Sequence, residues 1–174
     1  VYEYDGTNWI ETVKLMSTDA AAGDRFGNSV SISGDRVVVG AYRDDDAGSS
    51  TGSAYVYHWD GTNWNEQPKL TASDAAAGDS FGISVSVSGD RVVVGAHGAD
   101  DGGTDSGSAY VYDWDGSAWV QTDKLTASDA ATNDYFSISV SVSGDRVAVG
   151  AWGNDDGGTD SGSAYVFDWG GTNW

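Results

Sequence analysis

No cysteine occurs among the 174 residues, which excludes a disulfide framework and any thiolate metal site. Basic side chains are scarce. Only 8 Lys and Arg stand against 27 Asp and Glu, for a formal net charge of −19. A surface of that sign repels nucleic acid and anionic lipid, so neither is expected as a partner. Cations, cationic partners or strongly saline surroundings suit it better. Glutamate is nearly missing as well: Glu3, Glu11 and Glu66 are the only ones, so the acidity is almost all aspartate. No run approaches the about 18 apolar residues of a membrane helix, so no membrane insertion is expected. Neither an initiator methionine nor a signal peptide stands before Val1, as expected of a processed product or a piece of something longer. Enzyme signatures are missing too: there is no GxSxG, HExxH, phosphate-binding loop or supported Ser/His/Asp set, and His58 and His97 are not repeated. No catalytic activity is expected.

What is present excludes a disordered acidic tail. Hydrophobic residues make up 39% of the chain, with 8 Trp, 9 Tyr and 4 Phe, enough to form one folded domain with a real core. Trp9, Trp64, Trp119 and Trp174 recur every 55 residues, as do Gly40, Gly95 and Gly150. Residues 64–118 and 119–173 are identical at 40 of 55 positions, so the repeats are expected to share one fold. Within a repeat the apolar residues alternate in short runs, FGISVSVS, DRVVVGA, GSAYVYDW and WNEQPKL, which predicts four strands. Ser88-Gly89-Asp90 and Asp60-Gly61 or Asp115-Gly116 mark tight reversals, the latter favouring a primed turn. The residue 98–106 link is longer. So is SDAAAGDS, residues 73–80, which is long enough to cross a four-stranded sheet with strands ~4.8 Å apart. Tandem four-stranded antiparallel units of this size predict an all-β fold, a β-propeller of about three blades. The repeats lie at about 9–63, 64–118 and 119–173, with 1–8 as the tail of a preceding one.

These residues resemble the FG-GAP repeat, the blade of integrin α-subunit propellers and of many prokaryotic surface proteins. Phe26-Gly27 and Phe81-Gly82 match its FG, and Gly40-Ala41, Gly95-Ala96 and Gly150-Ala151 match its GA. The short prokaryotic variety is the nearest in pattern. Phe136-Ser137 departs from it, and Tyr42, His97 and Trp152 stand where the family usually has Pro. The resemblance implies a secreted or surface-anchored prokaryotic adhesion or interaction scaffold, with a protein or glycan ligand. It does not bring the family's calcium insertion between the FG and GA strands. Ser33-Gly34-Asp35, Ser88-Gly89-Asp90 and Ser143-Gly144-Asp145 stand there instead, each with one carboxylate where Ca²⁺ takes six to eight oxygens.

In an up-and-down blade the strand 2–3 loop and the crossover share one face of the disc. That face is expected to carry Asp45, Asp46, Asp100, Asp101, Asp105, Asp155, Asp156 and Asp160, with Asp24, Asp79 and Asp134 five residues after Asp19, Asp74 and Asp129 in the crossovers. Asp and Gly are ordinary turn formers, so the carboxylates stand between three readings: turn chemistry, weak Ca²⁺ binding by the paired-aspartate loops with a crossover aspartate as co-ligand, and adaptation to high salt. Trp59/Trp64 and Trp114/Trp119 are read either as cross-strand braces or as a sugar-stacking platform, which would make the protein a lectin. Phe26, Phe81 and Phe136 are expected between blades. Three blades are too few to close a ring. Residues 1–9 and 166–174 hold the same repeat positions, so the third unit lacks a fourth strand that a neighbouring copy's N-terminal segment can add. The chain is then a segment of a longer propeller, half of a closed dimer, or a subunit of a self-assembling filament or surface layer.

Overall fold

The computed structural model describes all 174 residues. It contains no helix, and therefore none long and apolar enough to cross a membrane. Two sheets have four antiparallel strands. The first runs β3 (Ser29–Ser33), β4 (Arg36–Ala41), β5 (Ser53–Trp59), β6 (Trp64–Glu66), and the second β7 (Ser84–Ser88), β8 (Arg91–Ala96), β9 (Ser108–Trp114), β10 (Trp119–Leu125). A third sheet has three strands, β11 (Phe136–Ser143), β12 (Arg146–Ala151) and β13 (Ser163–Asp168), and β1 (Tyr2–Tyr4) pairs with β2 (Trp9–Glu11) as a separate hairpin. These are propeller blades at the 55-residue period, the fold predicted from the alternation.

Local chemistry explains the boundaries. The β3–β4 hairpin turns on Gly34, at φ 58°, between the paired residues Ser33 and Arg36. The strand 3–4 reversal differs from the two-residue turn expected. Trp59 pairs with Trp64 across a four-residue loop, because Asp60 Oδ1 accepts both the Thr62 and Asn63 amides at 2.8 Å and closes the turn around a side chain. The fourth strands also differ in length. Pro68 has no amide to give and β6 stops at Glu66, whereas β10 has Asp123 at that place and runs on to Leu125.

Blades meet through two kinds of contact. Apolar residues of one blade interleave with those of the next. Val38, Ala54, Val56 and Leu70 pack on Phe81, Val85, Val87, Val92 and Val94, and the same positions recur where Val93, Ala109, Val111 and Leu125 meet Phe136, Val142, Val147 and Val149. Phe81 and Phe136 are fully buried at these seams, as expected. Inner strands also bond blade to blade through serine: Ser31 Oγ accepts the Val87 amide (3.1 Å) and Ser33 Oγ that of Gly89 (3.2 Å), while Ser86 and Ser88 do the same for Val142 (3.0 Å) and Gly144 (3.1 Å). The GA glycine permits this approach. A Cβ on Gly95 would stand 2.3 Å from the Ser137 carbonyl oxygen of the next blade. Ser137, in place of the FG glycine, holds a left-handed φ of 72°. It is anchored by donating its hydroxyl to Ser108 O at 2.6 Å and accepting the Ala96 amide at 3.0 Å.

Candidate functional site: the acidic loop face

The strand 2–3 loops and the crossovers lie together on one face. Gly78 N donates to Ser49 O and Gly98 N to Asp79 O, stitching crossover to loop. Within each loop the first aspartate of the pair folds its own chain. Asp45, Asp100 and Asp155 use Oδ1 to accept the amide five residues on, from Ser50 (2.5 Å), Asp105 (2.9 Å) and Asp160 (2.7 Å). The donating residues, Ser50, Asp105 and Asp160, sit at φ 51°, 53° and 51°, a left-handed conformation that the accepting carboxylate holds in place. Asp24, Asp79 and Asp134 turn inward and are buried, each accepting an amide three residues before it, from Ala21, Ala76 and Ala131. Burial pushes Asp79 above the usual carboxylate range.

The second aspartate of each pair has a different partner. In the first blade Lys69 Nζ lies 2.8 Å from Asp19, 3.2 Å from Asp44 and 2.5 Å from Asp46, and the Tyr55 hydroxyl donates to Asp19 and Asp44. Asp44 is only 2% exposed. Burial works to raise it, and the Asp46 amide, the Tyr55 hydroxyl and Lys69 outweigh that and hold it below the usual range. In the second blade Lys124 bridges Asp74 (2.6 Å) and Asp101 (2.5 Å), with the Tyr110 hydroxyl on Asp74. In the third blade Tyr165 donates to Asp129, but no lysine stands beside Asp129 and Asp156, and the Asp129 carboxylate pushes Asp156 up.

Asp19, Asp44 and Asp46 point their oxygens at one place, the arrangement a metal ion needs. A lysine ammonium already sits among them. The sequence reading named Asp46 and Asp101 but missed Asp44 and the lysines. The signal was available, since Lys14, Lys69 and Lys124 keep the 55-residue period. Asp100, Asp105, Asp155 and Asp160 are not gathered into any such cluster. The tryptophan pairs lie at the opposite ends of the strands, as cross-strand neighbours: Trp59 and Trp64 have ring centroids 5.6 Å apart, and so do Trp114 and Trp119. Arg36 of the preceding blade lies over Trp114 and Trp119, 5.4 and 5.1 Å from their centroids.

A profile of the FG-GAP repeat matches the chain three times, at residues 9–57, 64–112 and 119–167. The chain belongs to the FG-GAP repeat family. Curated proteins yield no match to it. Each FG-GAP match starts at the tryptophan of a fourth strand and ends in the third strand of the following sheet. The family unit therefore straddles a seam: its crossover, with Asp19, Asp74 or Asp129, is matched together with the loop of the blade it enters, and crossover amides such as those of Gly78 and Asn133 also bond the loop of the preceding unit. His97, one of this FG-GAP chain's departures from the family pattern, lies beside the second loop. Its Nδ1 is buried without a hydrogen-bond partner, and its ring is 5.9 Å from Tyr135, which stacks on Trp152 at 5.1 Å.

Two outcomes follow from these geometries. Lys69→Met strands three carboxylates, one of them buried, and is expected to lower stability by about 3 kcal/mol in urea denaturation, while Lys14→Met, at an exposed lysine without an ion pair inside the chain, leaves the unfolding of the single chain at low concentration unchanged. Burial depresses the His97 imidazolium against a weaker opposing pull from Asp105. The folded state then binds that proton less tightly than the unfolded chain, so this contribution is complete above pH about 6.5 and is lost as pH falls below it. His97→Tyr, the residue at the matching position 42, is expected to flatten the melting temperature between pH 7 and about 5.

Proposed function

We propose that this FG-GAP segment is a non-catalytic extracellular interaction scaffold whose acidic loop face binds a cationic partner. The observation that carries the reading is the difference between the paired aspartates. In the first two blades the crossover and second-loop aspartates are spoken for by Lys69 and Lys124, while Asp45, Asp100, Asp105, Asp155 and Asp160 keep charge directed to solvent or to their own loop. Regular spacing of such loops by rigid blades presents a patterned negative surface, which suits lysine- or arginine-rich ligands and repels anionic ones. Adhesion at a cell surface is the role this supports.

Calcium stabilisation is a narrower second reading. It is favoured at the third blade alone, where Asp129 and Asp156 face each other without an ammonium. In the first two blades lysine does the neutralising, and calcium has no comparable opening there.

A titration of the chain with an oligolysine peptide in a calorimeter separates these. Saturable binding that weakens as salt rises, and weakens further in a variant carrying Asp100→Asn, Asp105→Asn and Asp160→Asn, is expected. Absence of binding at low salt contradicts the cationic-partner reading. A melting temperature indifferent to calcium and chelator contradicts the calcium one.

A further inference from the structure

The two seams inside this chain define what a third must contain, and the chain's two open sides hold its halves. At each seam Arg36 or Arg91 reaches an aspartate of the next blade, Asp90 (2.5 Å) or Asp145 (3.2 Å). The same guanidinium covers a tryptophan pair: Arg36 lies over Trp114 and Trp119, and Arg91 over Trp169 and Trp174 at 5.9 and 4.8 Å. Arg146, one period on, has a side chain 76% exposed and binds only Asp168 of its own blade. Its counterparts at the far side of the chain are free of any arginine: Trp59, Trp64 and Asp35. Ser141 and Ser143 likewise expose the hydroxyls that in earlier blades accept amides, and the amides at the matching positions belong to Ile32 and Gly34.

The apolar surfaces match in the same way. Val30 is 67% exposed where its equivalent Val85 is 8%, and Val166 is 67% exposed where Val111 is fully buried. On the first-blade side a cavity of ≈ 580 Å³ is lined by Leu15, Phe26, Val30, Ile32, Val37 and Val39. At the inner seams that volume is filled by residues equivalent to Ala148, Ala164 and Val166, all of which are exposed.

The third blade also lacks a fourth strand and a lysine, and both exist elsewhere in the chain. Trp9–Leu15 holds the fourth-strand positions, Leu15 matches the buried Leu70 and Leu125, and Lys14 matches Lys69 and Lys124. Lys14 is exposed and makes no ion pair. Asp129 and Asp156 form the one such aspartate pair without an ammonium.

We propose that a second copy of this chain completes the third blade: its Trp9–Leu15 segment pairs along β13, its Lys14 enters between Asp129 and Asp156, and its Trp59/Trp64 pair receives Arg146. The strand exchange is like for like. Residues 1–9 and 166–174 hold the same repeat positions, so β1 of the incoming copy yields to β13. The pairs Tyr2↔Glu11, Glu3↔Ile10 and Tyr4↔Trp9 are replaced by Phe167, Asp168 and Trp169 against the same three residues, in the register seen for Tyr57↔Glu66, His58↔Asn65 and Trp59↔Trp64. What is gained is the seam itself, with its burial, its arginine clamp and its neutralised aspartates. The contact is heterologous, the far side of one copy's third blade meeting the near side of the other's first. Lys14 and calcium would compete for Asp129 and Asp156, and the contact is otherwise independent of what the acidic face binds.

The test mixes isotopically labelled and unlabelled chains, joins touching amines and carboxylates with a zero-length carbodiimide reagent, and reads the links by mass spectrometry beside sedimentation of the unlinked protein. Links from Lys14 of one copy to Asp129 or Asp156 of the other, in a species of twice the chain mass or larger, are expected. Lys14→Gln removes those links without unfolding the chain. Arg146→Glu weakens association about tenfold, the scale of one clamp of this kind. A monomer up to about 1 mM, the weakest range of specific association, overturns the proposal, as do Lys14 links confined to a single copy.

Discussion

Each blade is held to the next by a backbone passing so close that no side chain fits between. The GA glycine is where this happens: a Cβ on Gly40 would lie 1.9 Å from the Gly82 carbonyl oxygen, and one on Gly95 would meet Ser137 in the same manner. Serine hydroxyls on the inner strands then accept the part-buried amides of Val87 and Val142. The seam therefore combines an apolar interleaf with satisfied polar groups, and it fixes the pitch from blade to blade. Whatever the loops do, they do at the spacing that this contact sets.

The acidic face follows from that spacing. Asp19 from the crossover entering the first blade, Asp44 and Asp46 from that blade's strand 2–3 loop and Lys69 after its fourth strand form one node, while backbone bonds such as Gly78 N to Ser49 O tie the next crossover to the same loop across the seam. A chain of net charge −19 needs internal neutralisation where carboxylates crowd. Four of its eight lysines and arginines stand at such places. Lys69 and Lys124 neutralise the loop face, and Arg36 and Arg91 brace the seam on the opposite side. The third blade, lacking both partners, shows by contrast what each contributes.

Much of the fold was legible because it rests on period: alternation named the strands, and the 55-residue repeat named the blades. The Phe-Gly and Gly-Ala positions were recognisable for the same reason. What was not legible is the division of labour among aspartates. Asp45 and Asp46 look alike in a string, yet one accepts an amide of its own loop and the other meets a lysine 23 residues away. Asp24 reads as a possible ligand and is a buried turn cap. The Asp60 loop departs from the primed turn that Asp-Gly suggests because a side-chain carboxylate, not the backbone alone, closes it. Side-chain choices among near-identical residues depend on neighbours a repeat away, which local pattern does not show.

Serine bonds and an apolar interleaf hold each blade to the next as firmly as the sheets hold their strands. Amide hydrogen exchange of the folded chain reads this bond by bond. Val87, Gly89, Val142 and Gly144 donate only across a seam, to Ser31, Ser33, Ser86 and Ser88. Protection of the part-buried Val87 and Val142 amides comparable to that of the central strands β4 and β8, with weaker protection at the exposed Gly89 and Gly144, is expected. Exchange as fast as that of the exposed turn at Gly61 to Asn63 would contradict it.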